Sequence, residues 1–426
     1  MQRNTRGLMP RIVFAVLAGA ALPAAALTLT LDEASRIAEQ ANPALRNAQA
    51  AIYAVEGQLA ESRAALWNNP GLALEGSRTR IAQAAAPDDR VNAWRAGVSQ
   101  QFEIAGQQGR RREVAEAEIA ALRANIAEVR ATLRADVEQR FVQVLALQQR
   151  AEVEKQTVSI VEQSSGIMAR RLQAGEIGRL DANLARVEAE RARNQLVQLD
   201  EQLTQARAEL ASLLQLPDGE LPEVAGELRR DAGYRLEDLL QSASRRRQLE
   251  TFARKEEAAR SRLELERAAR YPDVTLGLFS GRDGPPALRE NLVGLSVSVP
   301  LPVFRRNEAG VGRAMTELTQ VQIERQAAER DAPAGVRTHW LRVAQLESRA
   351  QRLRETVLKI LGDNLRLSQI ALREGEIGIA ELLLVNRQVA ETRRELLDAE
   401  TELRLARVAL ERAAGWLPAD LKEEKK

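Results

Sequence analysis

A unit of about two hundred residues occurs twice in this chain of 426 residues, and that duplication constrains the fold more than any other feature. Leu172-Gln173-Ala174-Gly175-Glu176-Ile177-Gly178 recurs as Leu372-Arg373-Glu374-Gly375-Glu376-Ile377-Gly378. The run ending Leu213-Leu214-Gln215-Leu216-Pro217 recurs as the run ending Ala414-Gly415-Trp416-Leu417-Pro418. Asn69-Pro70-Gly71-Leu72 has its counterpart in Tyr271-Pro272-Asp273-Val274, and Gly97-Val98-Ser99 in Gly294-Leu295-Ser296. Chance similarity between helical sequences of low complexity would account for the first two pairs, but not for the turn and strand pairs at nearly the same offset. Whatever one half folds into, the other half repeats.

Each half reads as helix, strand, loop, strand, long helix, reversal, long helix. The first repeat spans 27–217, with a helix from about Leu31 to Leu66, a β-hairpin over 71–103 and a long helical hairpin over 109–216. A linker with a short helix occupies 218–244. The second repeat spans 245–418, with a β-hairpin over 273–300 and a helical hairpin over 308–416, and a polar tail closes the chain at 419–426. Pro333 and Gly335 predict a kink or short interruption of the second long helix near Asp331 to Gly335, since proline removes a helical hydrogen bond and clashes with the preceding turn.

The strands alternate with period two. Trp94, Ala96, Val98 and Phe102 alternate with Arg95, Gly97, Ser99 and Gln101, with Gln100 out of phase; Val293, Leu295, Val297 and Val299 alternate with Gly294, Ser296 and Ser298. Leu72 with Leu74, and Val274 with Leu276 and Leu278, supply the same face of the partner strands. One face is apolar, the other small and polar. Each strand has about the nine to eleven residues that a tilted strand needs to cross a bilayer.

Composition closes off several classes of function. There is no cysteine and one histidine, His339, so disulfide frameworks and Cys/His metal clusters are not expected; a lipid anchor on an N-terminal cysteine is not expected either. Net charge is +2 with both signs interleaved, which argues against nucleic acid as a partner. Carboxylates and arginines sit at helical spacing as solvated faces, no phosphate-binding loop appears, and no enzyme activity or cofactor is expected. Arg3, Arg6 and Arg11, the apolar stretch Ile12 to Leu22 and Ala24-Ala25-Ala26 predict a signal peptide over 1–26. No later apolar run reaches the length of a membrane-spanning helix.

A strand pair per repeat with one greasy face then poses a closure problem. Lipid tolerates only helices and closed barrels, and four strands are too few to close a barrel, so several copies must share one. A soluble β-sandwich is the alternative for the strands, and a periplasmic adaptor or coiled-coil scaffold is the alternative for the whole; an adaptor should carry one helical hairpin, whereas two in tandem are expected here.

Several motifs, in order and duplicated, resemble the TolC-like outer-membrane efflux proteins, and within them the outer-membrane components of cobalt-zinc-cadmium resistance systems. They are Leu29-Thr30-Leu31-Asp32-Glu33-Ala34 with Asn42-Pro43, Phe102-Glu103-Ile104-Ala105-Gly106-Gln107-Gln108-Gly109-Arg110-Arg111, Val297 to Asn307, and the two Gly-Glu-Ile-Gly reversals. The likeness covers nearly the whole mature chain. It implies a mainly α protein with a small β part: long helical hairpins in a periplasmic α-barrel, joined to a four-strand share of a trimeric, twelve-strand transmembrane barrel. It also implies a homotrimer in outer-membrane lipid, a periplasmic adaptor, an inner-membrane pump of the RND type and heavy-metal cations as cargo; a drug-efflux or type I secretion duct of the same architecture stays open.

The resemblance also assigns sites. It places adaptor docking on the reversals, at Arg171, Leu172, Gly175, Glu176, Ile177 and Gly178 and at Leu372, Arg373, Gly375, Glu376, Ile377 and Gly378. It places a periplasmic gate at Asp181 and Glu381, for which the competing reading is helix capping. Trp94, Phe102 and Tyr271 are candidates for aromatic girdles at the membrane boundary, with ordinary packing as the alternative.

Overall fold

The computed structural model describes residues 28–81, 89–230, 233–284 and 289–416. The expected signal peptide 1–26, the polar tail 419–426 and much of both hairpin loops lie outside the described residues.

Thr30 starts the first helix through a reciprocal cap: its hydroxyl accepts from the Glu33 N–H while the Glu33 carboxylate accepts from the Thr30 N–H at 2.9 Å. The expected helix from Leu31 to Leu66 is in fact two, α1 (Leu31–Ala41) and α2 (Pro43–Ser62), because Pro43 cannot donate to a continuing helix and Asn42 instead caps a new one. Strands β2 (Gly71–Ile81) and β3 (Asp89–Phe102) follow the two-residue strand β1 (Thr28–Leu29). Then come α3 (Gln107–Gln173), α4 (Arg179–Leu214), the two-residue strand β4 (Glu223–Val224), which pairs with β1, and the short helix α5 (Leu236–Ala243). The second half supplies α6 (Arg247–Ala268), β5 (Val274–Asp283), β6 (Glu290–Ser298), α7 (Glu308–Arg352), α8 (Leu358–Glu374) and α9 (Ile379–Ala414). At 1.5 Å per residue α3 is about 100 Å long, far longer than a compact core requires.

Of the kink or short interruption expected near Asp331 to Gly335, the interruption does not occur. Helix α7 runs through Pro333, held by Ala332 and Val336, which are buried in a core with Leu239 and Ala243 of α5. The irregularity lies some twenty residues on, in a π-helical turn over Leu353–Val357 between α7 and α8. Helix α5 packs against α7 at this point.

The four long strands form one antiparallel sheet in the order β2-β3-β5-β6. Register aligns Leu72 with Val98, Val98 with Leu278 and Leu278 with Leu295, so the alternation read from sequence becomes a single continuous face. That face is bare: Leu74 is 74% exposed, Val293 77% and Leu295 73%. On the other face Phe279 lies over Gly97 and Gly294, whose missing side chains make room for its ring, and Arg95 stacks on it at 4.9 Å. Gln100, out of phase in sequence, sits at the helical end of β3 and donates to the Asn68 carbonyl at 2.7 Å.

Helices continue the order of the strands. Helices α2, α3, α6 and α7 pack as sequential neighbours, and farther along α3 packs between α4 and α9. Among the described residues α2 and α7 do not pack on each other, and β2 and β6 each pair on one side only. Both layers are therefore open arcs with matching free edges. Short helices brace the middle, α1 against α3 and α4, α5 against α7 and α9, each over its own core centred on Leu210 or Leu410.

The seam between the repeats is ionic. Along antiparallel α3 and α9, Asp136 pairs with Arg412 at 3.0 Å, Glu138 with Arg404, Arg150 with Asp398 at 3.1 Å and Glu154 with Arg394 at 2.5 and 2.6 Å. Glu154 is fully buried, so its two-pronged arginine is required to offset desolvation.

Candidate functional site at the helical reversals

Two left-handed glycines end the long helices. At the first reversal Gly175 has φ +75°; its N–H reaches the Leu172 carbonyl at 3.1 Å, and Glu176 N–H reaches the Arg171 carbonyl at 2.9 Å. At the second, Gly375 has φ +77° and the matching bonds run to Leu372 at 3.3 Å and Ala371 at 2.9 Å. These are paired C-terminal caps of the kind glycine permits without steric cost. Gly178 and Gly378 then begin α4 and α9 with extended backbone. Leu172, Ile177, Leu372 and Ile377 are half-buried, whereas Arg171, Gly175, Glu176, Gly178, Arg373, Gly375, Glu376 and Gly378 are exposed. Arg171 and Glu176 lie 3.7 Å apart, a surface pair of small energetic worth.

The two acidic positions differ. Glu381 turns back and accepts from the Gly378 N–H at 2.7 Å, which caps α9 and places negative charge at the helix's positive end. Asp181 has one methylene fewer and makes no hydrogen bond or ion pair among the described residues. The capping reading therefore holds for Glu381 and leaves Asp181 as an unengaged carboxylate in the first turn of α4.

Between the two hairpins, just beyond the reversals, lies a groove of about 570 Å³ lined by Ile160, Val161, Leu184, Leu365, Leu383 and Leu384. Sequence reasoning passed over it. Its one visible trace was the cluster Leu382-Leu383-Leu384-Val385, which says nothing of the hairpin facing it.

A second polar cluster lies near the C-terminal end of α9. Glu411 is buried with Arg230, Arg404 and Arg407 around it and Glu138 beside it; burial, reinforced by Glu138, pushes its carboxyl up to about 6 against the pull of the three arginines. Tyr234, packed edge-on to Trp416 and tilted on Trp340, is raised to about 12 by burial and by Glu411. His339 lines the neighbouring cavity with Glu128 and Arg246. Among the described residues no three His, Asp or Glu side chains group in a way that would hold a metal ion. Trp94, in β3, and Tyr271, just before β5, are exposed, and Phe102 at the end of β3 is half-buried.

Comparison with known proteins bears on this architecture. The sequence pattern described as "Outer membrane efflux protein" matches residues 34–215 and 239–416. The cobalt-zinc-cadmium resistance protein CzcC of Cupriavidus metallidurans is 26% identical over 398 residues, covering 92% of this chain and 91% of that protein. Among solved structures, the CmeC outer membrane channel of Campylobacter jejuni superposes with a TM-score of 0.73 at 13% identity, covering 99% of this chain and 98% of its own. The outer membrane protein VceC of Vibrio cholerae gives a TM-score of 0.71 at 17% identity, over 90% of this chain and 96% of its own.

Proposed function

The chain belongs to the outer membrane efflux protein family, and from that premise we propose that it is the exit duct of a tripartite heavy-metal efflux system, working as a homotrimer. The observation that carries this reading is the open arc. Four strands with a bare apolar face and two unpaired edges leave backbone groups unsatisfied in lipid, and copies meeting edge to edge remove that cost. The helices share the same free edges, so the closure that completes a β-barrel also completes a helical tunnel. Three copies contribute twelve strands, wide enough to leave an aqueous passage past the glycine- and serine-rich inner face.

Metal cations enter as cargo through the likeness to CzcC alone. The duct is passive: an inner-membrane RND pump supplies the energy, and a periplasmic adaptor seats on the two reversals and in the apolar groove between the hairpins. Three copies each of Asp181 and Glu381 converge at the tunnel mouth, where crowded carboxylates attract cations and favour opening unless neutralised. Purified protein in a planar bilayer is expected to conduct and to have the mass of a trimer; a soluble, non-conducting monomer overturns the channel reading. The double variant Asp181→Asn with Glu381→Gln is expected to weaken block by divalent cations, and unchanged block removes the gate role. Restored cobalt, zinc and cadmium tolerance in a strain deleted for its own duct tests the cargo.

A further inference from the structure

Among the described residues, the segment joining β6 to α7 is an exposed apolar stretch outside the strands. Phe304 is 95% exposed, Leu301 79%, Val303 64% and Val299 41%, and Arg305 and Arg306 follow at once. Water gains nothing from such a surface, and four adjacent apolar side chains are more than the scattered exposure normal for a soluble loop.

Three of its backbone positions offer no free donor. Pro300 and Pro302 have no N–H, and the Val303 N–H is satisfied by the Leu301 carbonyl at 2.9 Å. Leu301, Phe304 and Arg305 keep N–H groups with no partner among the described residues, which suits the hydrated boundary of a bilayer and not its hydrocarbon centre. The apolar alternation of β6, Val293-Leu295-Val297, continues in sequence through Val299, Leu301 and Val303 past the last paired residue, Ser298.

Charge identifies the occupant. The Arg306 guanidinium is tethered through Nε to the Pro302 carbonyl at 3.2 Å, while Arg305 makes no hydrogen bond or ion pair among the described residues. A phospholipid head group supplies the counter-charge that Arg305 lacks within its own chain, beside a run of apolar side chains that continues the bare face of β6.

We propose that Val299 to Arg306 is a membrane-interface anchor: Leu301, Val303 and Phe304 enter the acyl boundary of the periplasm-facing leaflet, and Arg305 holds a glycerophospholipid phosphate. The inference rests on the barrel reading above. It adds that the lipid contact extends beyond the strands onto the collar of the second repeat, and on that repeat only. The corresponding junction of the first repeat is short and polar-stitched, with Ile104 its sole exposed large apolar side chain.

The chain contains no cysteine, so one nitroxide can be placed at will in the full-length protein. Phe304→Cys is suited to labelling because the side chain contacts almost nothing. Reconstituted in a mixed phosphatidylethanolamine and phosphatidylglycerol bilayer, a label at 304 is expected to collide more with oxygen than with a water-soluble nickel chelate, as is a label at Val297→Cys on the sheet face. A label at 304 exposed to nickel while 297 stays in lipid overturns the anchor and leaves the barrel intact. Nickel access at both positions overturns the barrel as well. A label at 304 shielded from both reagents means that a second copy covers the collar, which also overturns the anchor. Arg305→Gln is expected to weaken retention of phosphatidylglycerol by about fivefold, read by native mass spectrometry; equal retention removes the phosphate contact.

Discussion

The two repeats share a backbone but have diverged in chemistry at equivalent places. Both strand-to-helix junctions enter their long helix through a left-handed residue, Gly106 at φ +74° and Asn307 at φ +57°. In the first repeat the junction is sewn down with polar groups. Glu103 is paired with Arg111, Arg111 stacks on Trp67 at 4.2 Å, and Gln107 donates to the Tyr271 carbonyl at 3.3 Å. In the second it is longer, apolar and tethered chiefly at its end, where Asn307 donates to the Glu266 carbonyl at 2.9 Å. The same holds farther along: buried Glu411 occupies the position of Ala211, and Gly415 that of Gln215. Duplication preserves the dihedral angles that set chain direction, while side chains adapt to whatever each copy faces.

The largest test of that contrast is Arg111→Ala. It leaves the Glu103 side chain, only 7% exposed, without its cation, and should cost about 3 kcal/mol, the low end for a broken buried pair because Arg111 keeps some solvent. Arg305→Ala in the second junction should stay within about 0.5 kcal/mol. Denaturation midpoints of the detergent-solubilised protein compare the two, and equal effects would erase the distinction between stitched and free junctions.

Next comes Glu411. Its folded carboxyl titrates near 6, above its ordinary value of 4.5, so the folded state binds the proton more tightly. The resulting stabilisation is fully present below about pH 4.5 and is lost as pH rises through about 6. Glu411→Gln should therefore raise stability by about 2 kcal/mol near pH 8 and change it little near pH 4. A melting-temperature series against pH checks this; an equal gain at both ends contradicts it.

The ends of α4 and α9 differ less. Gln215 holds φ +55° without being glycine, so Gln215→Gly should gain about 0.5–1 kcal/mol, net of its lost bond to the Ser212 carbonyl. Gly415→Ala should lose more than about 1 kcal/mol, since a methyl there meets Arg246 Cβ at 2.7 Å. The smallest contrast is at the reversals. Glu381→Ala removes a cap and should cost about 0.5–1 kcal/mol, seen as faster amide exchange at the start of α9; Asp181→Ala should cost about 0.3 kcal/mol at most at the start of α4.

Much of the fold was legible before any coordinates. Period-two alternation placed Leu72, Val98, Leu278 and Leu295 on one face, and the sheet register joins them there. Gly175 and Gly375 marked the reversals because glycine permits a tight turn, and both adopt left-handed backbone there. The helix break at Pro43 was missed although proline at a helix's first position is a readable signal, and no interruption occurs at Pro333, where α5 packs against the helix. Of the site, the motif residues were visible, but the differing engagement of Asp181 and Glu381 was not, since it turns on the reach of one methylene.

By itself, the sequence determined the duplication, the kind and order of the long elements, the apolar strand face and the glycine reversals. All of these follow from backbone periodicity and from residues within a few positions of one another. Tertiary structure alone decided that β3 pairs with β5, that Glu154 meets Arg394 across 240 residues, that the two hairpins enclose an apolar groove, and that the arc stays open at matching edges. Those outcomes depend on which faces of distant segments meet, and a local pattern records that a face wants cover without recording what covers it.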